Sequence, residues 1–190
     1  MRLRSTLLLS LVALALLPAA WLRGRDARRR PHAHGKELAR YRAELSERTT
    51  RIDAVLVDLE DVVDALRRRD MDVDEAVLRL AAAETELDAS ADELRDTSAP
   101  EELHSLHVEY EANLERALRG IVTAERGCGI TRLPHRPPDD EEPFTYWKRG
   151  HANILNARMR MGELVAALMD WEPGKPVEGS VAARLHRTEN

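Results

Sequence analysis

The sequence predicts an all-α fold, an antiparallel four-helix bundle of up-down-up-down connectivity preceded by an N-terminal hydrophobic signal or anchor helix. Three observations carry this. Apolar residues from Leu38 onward recur at alternating spacings of three and four, the period of an amphipathic helix, and no stretch alternates as a strand does. Two compact breaks and one long irregular stretch divide this periodic chain into four segments, which suits a bundle. Before them stands an apolar run with arginines at both ends.

The N-terminal element, "MRLRSTLLLSLVALALLPAAWLRGRDARRR", has a positive start, an apolar run from Leu7 to Leu17, and then Pro18-Ala19-Ala20. That is the order of a secretory signal peptide. Its cleavage signal is weak, because cutting after Ala20 puts Pro18, and cutting after Ala19 puts Leu17, where a small residue is needed. Residues 1–22 therefore read as a signal peptide or a single transmembrane anchor, with Trp21 at the membrane interface. Residues 23–36 read as a basic juxtamembrane linker whose Arg23, Arg25, Arg28, Arg29 and Arg30 lie against anionic lipid headgroups. Arginines after the run outnumber those before it, which by the positive-inside rule favours a cytoplasmic bundle. The order of the signal-peptide regions favours the opposite side, and an extracytoplasmic bundle is the expectation.

The bundle is expected over residues 37–171. Its first helix carries Leu38, Tyr41, Leu45, Ile52, Val55, Leu59, Val62 and Leu66 on one stripe, interrupted at Arg48. The run Arg67, Arg68 and Arg69 suits a helix C-terminus, and Asp72 followed by Glu75 has the spacing of a capping box, so a turn belongs near residues 69–72. The second helix continues the stripe through Val73, Ala76, Leu80, Ala83, Leu87 and Leu94. Because the heptad phase survives the turn, one long rod in a dimeric coiled coil is the competing arrangement. In "DTSAPEEL", Ser98 is placed to cap a third helix with Pro100 in its first turn and Glu101 at its third position. Gly127-Cys128-Gly129 is expected to end that helix near Arg126. A long loop over 127–144 follows, then a fourth helix from Thr145 with Trp147, Ile154, Met161, Val165 and Leu168 on one side. Pro173-Gly174 closes it, leaving a polar tail over 172–190 with a single turn near Val181 to Leu185.

Charge and composition narrow the function. The net charge of −5 conceals seven arginines in residues 1–30; without that segment the chain carries 22 basic and 33 acidic residues, a formal −11. Such a balance argues against nucleic acid, since phosphate binding needs clustered Lys and Arg. The single Cys128 cannot form an internal disulfide, and no zinc-type Cys/His spacing is present. There is no glycine-rich phosphate loop and no local nucleophile motif, so neither an enzyme nor a cofactor is expected.

Two groups of residues invite a functional reading. On a helical wheel His107 falls within the apolar stripe of the third helix, while His104 and Glu111 lie just beyond one edge. Two imidazoles and a carboxylate are proper ligands for zinc, copper or iron, so a metal or small-ligand sensor using His104, His107 and Glu111 is one alternative. Di-iron bundles need a second Glu-x-x-His, which is absent, and His151 should lie near residue 123, about 30 Å along the axis from His107. The plainer expectation is that His107 pairs with Glu111 one turn on, leaving His104 in solvent. The second group is the long loop, since loops of that length without structure are uncommon unless functional or disordered. Its Cys128, His135, Asp139 and Asp140, with Phe144, Tyr146 and Trp147, are the candidates for contact with a protein partner. The expectation is thus a non-enzymatic, membrane-attached interaction or structural module of the cell envelope. A homo-oligomer, built as a cytoplasmic-facing coiled-coil scaffold, is the other alternative.

Overall fold

A computed structural model describes the backbone of residues 3–172 and the side chains of residues 34–172. The expected signal or anchor side chains, including Trp21 and Arg23, Arg25, Arg28, Arg29 and Arg30, and the expected tail from Pro173 lie outside those described. The described chain is all-helical and contains no strand. Its elements are α1 (Leu3–Arg68), α2 (Val73–Arg95), a 3-10 turn (Glu101–Leu103) that leads into α3 (His104–Thr131), and α4 (Pro143–Asp170). No helix among the described residues is long and apolar enough to cross a membrane.

The chain divides into two compact units, residues 1–41 and 42–190. In the first, the described side chains continue α1, with Leu38 and Tyr41 buried. The second holds the bundle-like packing. There the α1 stripe comprises Ile52, Leu56, Leu59, Val62, Val63 and Leu66, all almost fully buried. Val55, expected on the stripe, is only half-buried, and Leu56 takes its place. A helix of 3.6 residues per turn drifts off a strict heptad, and α1 is flanked by more than one neighbour, so its buried arc is wider than a two-position seam. The same drift makes Leu164, not Val165, the buried residue of α4.

The turn at residues 69–72 forms as expected. Arg69 donates its N–H to Leu66 O at 3.1 Å and Asp70 donates to Ala65 O at 2.9 Å, the paired bonds of a Schellman stop. Arg69 takes the left-handed conformation at φ 62°, where glycine is usual and another side chain costs about 1 kcal/mol. Asp72 then caps α2, its Oδ1 accepting from Asp74 N at 2.8 Å and more weakly from Glu75 N at 3.4 Å.

The start of α3 differs from expectation. Pro100, not Ser98, is the cap residue, and it makes no side-chain hydrogen bond there. A 3-10 turn absorbs the first residues instead, with Leu103 N donating to Pro100 O at 2.9 Å. Arg48 fastens this connection: its Nη1 donates to Thr97 Oγ1 at 2.9 Å, and its Nε lies 3.5 Å from Glu93. The arginine that interrupts the α1 stripe is therefore a cross-helix tie.

Candidate functional site

The α3–α4 contact positions the loop between them. Gly120, Ala124 and Gly127 on α3 and Gly150 on α4 are all buried. A β-carbon added to Gly150 would come within 2.7 Å of Gly120 O, and one added to Gly120 within 2.9 Å of Gly150 O, so the two backbones meet where no larger residue fits. Gly127 leaves room for the indole of Trp147. Hence Gly127-Cys128-Gly129 does not stop α3, which runs on to Thr131, and α4 begins at Pro143 rather than Thr145. The irregular connection shrinks to residues 132–142. In sequence alone a glycine that admits a neighbouring ring looks like a glycine that ends a helix.

This connection is pinned. Asp140 Oδ1 accepts from Arg126 Nη2 at 2.6 Å and from Tyr146 Oη at 3.1 Å, and the Arg126 guanidinium sits 5.1 Å over the Tyr146 ring. The hydrogen bond from Arg126, with that from Tyr146, holds the Asp140 carboxyl below the usual carboxylate range against the opposing effect of desolvation. Arg136 pairs with Glu142, and Arg149 with Glu141 at 3.0 Å. At the root of the loop, Arg132 pairs with Asp74 at the start of α2.

The seven expected contact residues fall into two sets. Cys128, Tyr146 and Trp147 are buried, so they hold the site together and offer little surface to a protein partner. Burial pushes the Cys128 thiol up, only partly offset by the Trp147 indole, which makes it a packed group and not a reactive one. Asp140 is committed to Arg126 and Tyr146. His135 and Asp139 are exposed, and Phe144 is 49% exposed. Sequence reasoning passed over Leu133, which is 47% exposed at the other edge of the connection. The signal for it was an isolated leucine in a stretch with no apolar periodicity.

The histidine group resolves differently. His107 is buried, its Nε2 lies 3.4 Å from Glu111 Oε1, and His104 is exposed. Burial lowers the His107 pKa, while Glu111 works against that shift and His104 and Arg48 add to it. Among the described residues no three His, Cys, Asp or Glu side chains gather as they would around a metal ion. His151, the other histidine considered, stands at the loop end, its Nδ1 3.5 Å from Arg67 Nη1. Below His107, Tyr110 Oη and Thr49 Oγ1 are 2.8 Å apart, and Thr49 donates onward to Leu45 O at 2.7 Å. Burial pushes the Tyr110 phenol up to about 12. These groups serve packing and polar satisfaction.

No protein-family model, curated protein or solved structure matches this chain.

Proposed function

We propose that this chain is a non-enzymatic, membrane-attached helical module of the cell envelope that binds a protein partner through the end formed by residues 132–144. The observation that carries this is that two apolar side chains, Leu133 and Phe144, are exposed near the two ends of a connection held by Arg126, Asp140 and Tyr146. Exposed aromatic and aliphatic groups on a rigid support lose little conformational entropy when covered, which is what an interface anchor needs.

The helices are proposed to run up-down-up-down. Support comes from the order of their paired residues: Gly127 with Trp147, Gly120 with Gly150 and Glu109 with Arg160 between α3 and α4, and Arg51 with Glu93 and Asp58 with Arg79 between α1 and α2. In each series the numbers rise along one helix as they fall along the other. Membrane attachment rests on the apolar run and arginines of residues 1–30, and placement outside the membrane on the signal-peptide order of that segment.

Protease added to intact spheroplasts tests the location. Digestion of residues 42–172 without lysis is expected; protection lifted only by lysis contradicts it. For the binding surface, Leu133→Ser is expected to lose the partner in cells while leaving the melting temperature unchanged.

A further inference from the structure

A cleft of about 510 Å³ opens where the C-terminus of α1, the turn after it and the first residues of α4 come together. Its volume falls within the range of small-molecule sites. Leu66, Met71, Val73, Phe144 and Trp147 supply an apolar wall. Its cationic groups are Arg67 and Arg69, and Thr131 and Glu142 complete the polar rim.

These polar groups are not equivalent. Arg67 is partly neutralised by Asp64 at 3.2 Å and lies 5.9 Å over the Phe144 ring, yet its Nε is buried with no acceptor. Glu142 is matched by Arg136. Thr131 Oγ1 donates to Gly127 O at 2.9 Å and keeps lone pairs for accepting. Arg69 has no ion pair among the described residues, and it occupies a left-handed backbone position that glycine would fill with less strain. An arginine thus stands there against the local backbone preference, and it lines the cleft. Strain of this kind points toward function when the side chain has something to do. With Asp64 and Asp70 opposite Arg67 and Arg68, and Arg136 opposite Glu142, one positive charge, that of Arg69, is left uncompensated here.

We infer that the cleft binds a small monocarboxylate with an apolar, planar body, the carboxylate on the Arg69 guanidinium and the body between Phe144, Trp147, Met71 and Val73. A planar guanidinium fits a carboxylate in bidentate fashion, and one spare charge matches a monoanion better than a phosphate dianion. The cleft shares Phe144 with the proposed partner surface but not Leu133 or residues 134–141, so Leu133→Ser leaves its lining intact and the two readings can fail separately.

Calorimetric titration of the full chain with 2-naphthoate tests it, with uncharged 2-naphthamide and inorganic phosphate in separate runs. One saturable site for 2-naphthoate is expected, with naphthamide and phosphate each weaker by about tenfold or more. Arg69→Gly should weaken 2-naphthoate by about tenfold or more while holding or raising the melting temperature, because glycine suits the backbone there. Arg69→Gln should weaken it similarly while retaining a side chain. Absence of saturable 2-naphthoate binding, equal binding of naphthamide or phosphate, or undiminished affinity in both variants would overturn the inference.

Discussion

The indole nitrogen of Trp147 lies 2.7 Å from the point where a β-carbon on Gly127 would stand. The contact is closer than real β-carbons allow, and its other near neighbour is backbone, Pro143 O at 3.0 Å, which cannot swing aside. Gly127→Ala must therefore push Trp147 or the start of α4 outward. The expected loss is about 1–3 kcal/mol, the usual cost of overpacking, seen as a fall of several degrees in melting temperature. Gly129, two residues on, is exposed and helical with nothing within 4 Å of the same point. Gly129→Ala should stabilise by about 0.5–1 kcal/mol, since alanine loses less backbone freedom in a helix. Paired thermal melts check both signs at once.

The buried His107 should make stability depend on pH in a defined direction. Its folded pKa is lowered from the ordinary histidine value, chiefly by burial. Between the folded and unfolded pKa values the unfolded chain binds more protons, so stability is present above about 6.5 and is lost as pH falls through that window. His107→Gln removes the titrating group. Melting temperatures at pH 7.5 and 5.0 should differ less in the variant than in the native chain, and an unchanged difference would show that His107 is not the source.

Asp140 is expected to govern the order of the 132–142 connection and to contribute little to global stability. Asp140→Asn weakens the acceptor shared by Arg126 and Tyr146 and removes its charge. Limited trypsin digestion should then cut faster after Arg132, which is exposed, while the thermal midpoint stays close to native. Because the carboxyl is held below its usual range, this tie is present above the ordinary Asp pKa and is lost as pH falls through the lowered one.

How far these features are legible in the sequence varies with their range. The turn at 69–72 and the Asp72 cap are local: an acidic residue three before another, after a basic run, specifies both, and both form. His107 beside Glu111 is equally local, a matter of helical spacing. What fails to show is what depends on a neighbouring helix. Gly127 reads as a helix stop because the Trp147 ring that requires it lies twenty residues away. Arg48 reads as a defect in the stripe because Glu93 and Thr97, its partners, are on the far side of a turn. Ser98 has the right spacing for a cap but loses the position to a 3-10 turn at Pro100. The cleft shows least, since its lining comes from three separate stretches of chain.

In-cell photo-cross-linking from Leu133 and from Phe144 tests the proposed binding end most directly, with Leu78 on α2, 73% exposed, as the reference position. A photoreactive residue at Leu133 or at Phe144 should give a discrete covalent adduct to one protein, and Leu78 should give none. Equal adducts from all three positions, or none from Leu133 and Phe144, would contradict a partner seated on residues 132–144.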